Sequence, residues 1–162
     1  MAYRVAIALS LTLLASYAYS DVGPSPDIAN RTRGAARVVL GRVLDVQSRF
    51  ETNRFGDQLI ISTLLVEVSE TLKGRQAAMA SVVIEGGTVG DLTLRVSDLP
   101  SMKAGDRAVF FLDAGTGGVE QLHDRGRGVL KVTSDDRIEG ATVSLADIRR
   151  SILAAAAEGV RR

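Results

Sequence analysis

Between Ala36 and Thr133 the apolar side chains come in short runs of period two, broken at close intervals by glycine-containing turns. Alternate residues of a strand face opposite sides of a sheet, whereas helical faces repeat about every 3.6 residues, so these runs suit strands. Val38 to Phe50 is β-branched and long for a strand. Its apolar parity slips: Val39, Gly41 and Val43 share one face and Val46 falls on the other. A glycine followed by such a slip predicts a bulge that bends the strand. Asn53 to Asp57 reads as a turn, and Leu59 to Leu72 returns, with Leu64, Val66, Val68 and Leu72 alternating with Leu65, Glu67, Ser69 and Thr71.

Ser81 to Glu85 is the third expected strand, followed by a glycine loop, Gly86-Gly87-Thr88-Val89-Gly90. Leu92, Leu94 and Val96 then alternate with Thr93, Arg95 and Ser97, which predicts a strand with the three apolar residues inward. The continuous apolar stretch within Arg107 to Leu112 reads as a strand buried on both faces. Gly115 to Gly118 is a loop, and weaker strands are expected at Val119 to Leu122 and Val129 to Thr133.

Helices are expected only at the ends. Ser25-Pro26-Asp27 is a helix start, with a serine cap, proline at the first helical position and an acid in the first turn, and the helix runs to about Arg33. Ser144 with Asp147 three residues later resembles a capping box, ahead of an apolar stripe of Leu145, Ile148, Ile152 and Ala156 and a stop near Gly159. Many short strands with one helix at each end imply a mainly β fold: a small closed or partly open antiparallel OB-like β-barrel, with a short N-terminal helix and a C-terminal helix packed on it. A two-sheet sandwich is the alternative. Residues 36–133 form the barrel, 21–35 a leader and short helix, and 134–162 a turn and the C-terminal helix of the same domain.

Residues 1–20 read as a signal peptide: Arg4, the apolar run Val5 to Leu14, then small residues at Ala18 and Ser20 before Asp21. The run is shorter than the roughly 20 apolar residues that span a bilayer. Cleavage is expected after Ser20, with Ala18 as the second choice. The expected product is exported, periplasmic or extracellular, without stable membrane insertion. The chain has no cysteine, so no disulfide supports the fold and its core alone must hold it together. One of the 20 Lys+Arg and none of the 19 Asp+Glu lie in residues 1–20, so the remainder carries equal numbers of each sign. A nucleic-acid binder shows a basic excess or aromatic rings for base stacking. Here all three tyrosines precede Asp21, tryptophan is absent, and only Phe50, Phe55, Phe110 and Phe111 remain.

The inventory for catalysis is thin. His123 is the only imidazole and sits in a loop, where a histidine is most simply solvated, and no Gly-x-Ser-x-Gly elbow is present. One histidine and no thiolate do not make a zinc site. The acidic stretches Glu51 to Asp57 and Asp135-Asp136 with Glu139 lack the alternating acids of a calcium loop. No Lys-Ser/Thr and no helix follow Gly86 to Gly90, so a phosphate loop is not indicated. The sequence therefore offers no catalytic, cofactor-binding or metal residues. Its candidate contact residues for a partner, another exported protein, are Gly86, Gly87, Thr88, Val89 and Gly90, since recognition favours loops on rigid scaffolds. A structural or assembly component of the envelope, joined through strand edges, is the alternative, and a hydrolase using His123 a more distant one.

Three stretches carry a resemblance: Ala36 to Val43, Val66-Glu67-Val68 running to Leu72-Lys73-Gly74, and Gly86 to Val96. With Lys103-Ala104-Gly105-Asp106 leading to Phe110-Phe111-Leu112, they resemble a family of bacterial exported proteins similar to the tissue-inhibitor-of-metalloproteinases and netrin-like modules. The similarity spans roughly Ile28 to Val132. It implies a five-stranded barrel flanked by helices, and a role in binding an exported metalloprotease. Animal inhibitors of this type place the amine and carbonyl of an N-terminal cysteine on the catalytic zinc, and this chain has no cysteine to do so. Asp21, as the expected mature N-terminus, is the residue left to supply an amine and a carbonyl, and joins the candidate contact residues on that ground alone.

Overall fold

The computed structural model describes residues 26–160. The expected signal peptide, the leader and Asp21 lie outside the described residues. Helix α1 spans Pro26–Gly34; the strands are β1 (Arg37–Thr52), β2 (Gln58–Lys73), β3 (Met79–Glu85), β4 (Gly87–Val89), β5 (Leu92–Leu94), β6 (Arg107–Ala114), β7 (Glu120–Leu122) and β8 (Val129–Val132); helix α2 spans Leu145–Val160. The protein is mainly β. No helix among the described residues is long and apolar enough to cross a membrane.

β1, β2, β3, β7 and β6 follow one another by hydrogen bonding, and β6 pairs back with β1, so five strands form a ring-like sheet. β3 meets β7 in parallel over Val82↔Glu120 and Val83↔Gln121, while the other contacts around the ring are antiparallel. β8 continues along the edge of β6 beyond β7. A sheet curves this tightly only where its strands bend, and β1 and β2 slip register between Val38 and Val39, Leu40 and Gly41, and Val43 and Asp45. The third slip leaves Leu44 as an extra residue on β1 and explains the parity change seen in the sequence: Val46 returns to the face that Val43 occupies, and both pack inside the ring. On β2 the slip that leaves Ser69 as an extra residue has the opposite result for Leu72. It leaves the interior face of Leu64 and Val66 and packs under the helices instead.

Two apolar clusters follow from the two faces of the sheet. Inside the ring, Val39, Val43, Leu64, Val66, Val82, Phe110 and Leu112 are fully buried. Outside it, Val38, Leu40, Val109 and Phe111 are covered by Ile28 of α1 and by Leu145, Ile148 and Ile152 of α2. β6 is thus buried on both faces, as its unbroken apolar run implies, with Phe110 inward and Phe111 beneath the helices. Fully burying each such side chain contributes about 1.5–3 kcal/mol, so the helices are part of the core.

The start of α2 carries the expected capping chemistry, whereas Ser25, the expected cap of α1, lies outside the described residues. Ser144 Oγ accepts from Asp147 N (3.2 Å) and donates to Asp147 Oδ2 (2.6 Å), which fixes the first turn of α2. Ala155, rather than Ala156, completes its fully buried stripe. At the end of α1, Lys73 Nζ donates to the carbonyls of Thr32 (2.7 Å), Arg33 (3.1 Å) and Ala35 (2.6 Å), placing a cation where the helix dipole is negative. Burial lowers the Lys73 pKa from its ordinary value, and Asp113 opposes that shift.

The stretch after β3 departs most from expectation. Leu92, Leu94 and Val96 do not line the barrel. Only Leu92–Leu94 is a strand, it pairs with Gly87–Val89 in a separate two-stranded ribbon, and Leu92 is 62% exposed. With two residues, Gly90 and Asp91, between its arms, the ribbon closes on itself before β5 reaches the sheet, and the alternation records a ribbon with one face turned to solvent.

Candidate functional site

Where β3 ends, the chain crosses over the distal halves of β1 and β2. Gly86 N donates to Ile60 O (2.7 Å), and the Gly86 carbonyl accepts from Ser62 Oγ (2.5 Å). Ser62 is buried and its oxygen lies 2.8 Å from Ser48 Oγ. A hydroxyl has one proton to give, and that of Ser62 is committed to Gly86, so Ser48 is the donor of the pair. Directly above them Gly87 has φ +131°, and a Cβ there would lie 2.2 Å from Ser62 Oγ and 2.4 Å from Ser48 Oγ. Both the backbone angle and the approach to the two hydroxyls therefore require glycine. The glycines of this segment seat the ribbon on a serine pair.

The seated ribbon forms one wall of a cleft of about 750 Å³, a size typical of ligand sites. β1 contributes Asp45, Val46 and Ser48 to it, β3 contributes Ile84 and Glu85, and the segment from Arg95 to Ala104 forms the opposite wall. Met102, 9% exposed, belongs to both the cleft and the ring interior and so closes the ring beneath the cleft. The opposite wall is pinned from behind by Arg125, whose guanidinium bonds Glu85 Oε2 (2.9 Å) and Asp98 Oδ2 (3.0 Å). That hydrogen bond holds the Asp98 carboxyl below the usual carboxylate range. Asp124 and Arg125 both adopt positive φ, a conformation that costs non-glycine residues energy.

The polar character of the cleft comes mostly from hydroxyls, those of Ser48, Ser62, Thr88, Thr93, Ser97 and Ser101, with charges of both signs at its edge. Thr88 and Thr93 are themselves cross-strand partners, 2.9 Å apart at their oxygens. Of the residues singled out in the sequence, Gly86, Gly87 and Thr88 line the cleft, Val89 continues β4 beyond it, and Gly90 turns the ribbon with φ +58°. Asp21 lies outside the described residues. Ser48 and Ser62 escaped the sequence reading although they left a signal: each stands two residues from an interior side chain, Val46 and Leu64, on the inward parity where an apolar residue is expected.

His123 is not solvated as a lone loop histidine would be. Its Nδ1 lies 2.8 Å from Asp113 Oδ2, and its ring is packed so closely against α1 that a Cβ on Gly34 would fall 2.5 Å from Nε2. The imidazole fastens β6 to the end of α1, with its second nitrogen turned to a helix terminus rather than to a serine. The acidic stretches are likewise engaged locally. Asn53 Oδ1 accepts from Phe55 N (2.9 Å) and Asp57 N (3.0 Å), Asp135 accepts from Thr133 (2.6 Å), and Asp136 pairs with Arg107 (2.9 Å). Among the described residues no three His, Cys, Asp or Glu side chains gather as a metal-binding set.

No protein-family profile matches the chain, and no curated protein matches it significantly.

Proposed function

We propose that this chain is an exported, non-enzymatic binding module built on an OB-like barrel, and that it recognises another exported protein through the ribbon-walled cleft. The observation that carries the reading is the seating of Gly86 and Gly87 on the Ser48–Ser62 pair, which presents Thr88 and the ribbon at the cleft as a preorganised edge. The strand order supports the OB-like description, since five strands form a ring in which the first pairs with both the second and the sixth. The place where such a barrel is plugged by Met102 and a ribbon is also where recognition residues are offered by loops on a fixed frame. The resemblance to inhibitor-like and netrin-like modules favours a metalloprotease as the partner, with Asp21 as a further contact.

Thr88 is exposed and Val89 half-buried, and neither belongs to the two apolar clusters. Replacing Thr88 and Val89 with Asp and Ser is expected to weaken capture of the exported partner about tenfold or more while shifting stability by at most about 0.5 kcal/mol. Affinity measured beside a thermal melt checks this. Equal loss of binding and of fold makes the ribbon structural only. Turnover of secreted zinc proteases unchanged by micromolar protein removes the metalloprotease as the partner and leaves the cleft to another.

A further inference from the structure

The distal half of β1 is an open edge. β6 pairs with β1 only over Arg37 to Arg42, and Val43 is bonded to the following turn through Asp106 O (2.8 Å) and Gly105 N (2.8 Å). From Asp45 to Thr52 the strand is paired on one side, to β2, and no backbone among the described residues bonds its other side. The phase of that edge is fixed by the turn. Asn53 N donates to Asp57 O (2.9 Å), so Asn53, Glu51, Arg49 and Gln47 direct their backbone groups to β2, and alternation leaves those of Thr52, Phe50, Ser48 and Val46 directed outward. Asp45, Val46 and Ser48 of this strand border the open cleft. Phe50 is 42% exposed, whereas Phe110 and Phe111 are fully buried.

We infer that this edge pairs with the same edge of a second copy of the chain, antiparallel and centred on Phe50. The occupant is chosen by the sequence of the strand, Ser48-Arg49-Phe50-Glu51-Thr52, which is complementary to its own reverse. Centred on Phe50, each Arg49 faces Glu51 of the other copy in both halves of the pair, at non-hydrogen-bonded positions where side chains approach most closely. The outward backbone groups of Phe50 meet each other, and those of Ser48 meet those of Thr52. Both phenylalanines lie next to one another on one face. Shifting the centre by one residue to Arg49 places like charges opposite each other, and centring on Ser48 sets Asp45 against Glu51. Centring on Gln47 drives the partner strand toward Val43, where Gly105 and Asp106 already occupy the edge. Within one chain Arg49 and Glu51 bond each other at 2.8 Å, both more than half exposed, so the exchange swaps two exposed pairs, one in each copy, for two across the interface. The area is small, and the dimer is weak and concentration-dependent.

Sedimentation equilibrium on protein expressed from the full-length sequence, from micromolar to near-millimolar concentration, tests this. The expected result is a rise in mass toward the dimer. Arg49→Glu alone or Glu51→Arg alone weakens association by about tenfold or more, and the double exchange restores it. Phe50→Pro removes an outward N–H without removing a bond to β2, a change an edge strand tolerates, and abolishes the dimer with the melting curve retained. If Phe50→Pro fails to fold, the charge exchange still decides. A monomer at every concentration, association unmoved by the single reversals, or no restoration by the double exchange overturns the inference.

Discussion

Glu120→Ala is expected to destabilise the fold by roughly 3–5 kcal/mol, out of all proportion to a residue in a three-residue strand. Arg37 is 3% exposed at the start of β1, and its guanidinium is held by Glu120 Oε2 (2.8 Å) and the Ala77 carbonyl (3.2 Å), while its Nε has no partner. Removing the carboxylate strands a buried cation that cannot lose its charge. The pair also stands at the shortest pairing of the ring, because Glu120 belongs to the two-residue parallel contact between β3 and β7. The same reasoning predicts the opposite for replacing both partners. Arg37→Met with Glu120→Leu removes the desolvation cost together with the pair, and is expected to be near neutral or stabilising. Chemical denaturation of the two variants separates these outcomes, and equal losses in both contradict the argument.

Phe110→Ala is expected to cost about 3–5 kcal/mol, a large part of the roughly 5–15 kcal/mol that holds a domain folded. The ring interior contains one aromatic side chain, Phe110, among aliphatic residues and Met102, so its removal leaves a space that no second ring fills. Phe111→Ala is expected to cost a similar amount with a different local signature. It empties the space between sheet and helices, so hydrogen exchange rises first in α1 and α2, whereas Phe110→Ala exposes β1, β2 and β6.

These two variants also mark what the sequence made legible. An unbroken apolar run such as that of β6 has only one good use in a β fold, burial on both faces, and the structure splits Phe110 and Phe111 between the two clusters accordingly. The parity slip between Val43 and Val46, the turn at Asn53 to Asp57 and the capping of α2 are legible in short-range chemistry, because their causes lie within a few residues of one another. What could not be read depends on partners distant in sequence. Leu92 obeys perfect alternation yet faces solvent, since alternation reports that a strand has two faces and not which sheet it joins. Arg37 looks like a surface residue until Glu120 is brought to it. The cleft combines both kinds of information: its glycines stand out in the sequence, while the serines that give them a reason, Ser48 and Ser62, are fourteen residues apart and meet only because the β1–β2 register pairs them.

The central claim is that recognition occurs at the ribbon and its cleft and that the helix-covered side of the ring is scaffold. A photo-crosslinking amino acid placed at Thr88, and separately at Leu153 on the exposed side of α2, tests it in cells that express the full-length chain. A discrete adduct with a partner protein from position 88, and none from position 153, is the predicted result. Adducts from position 153 alone would place the binding surface on the opposite side and contradict the account.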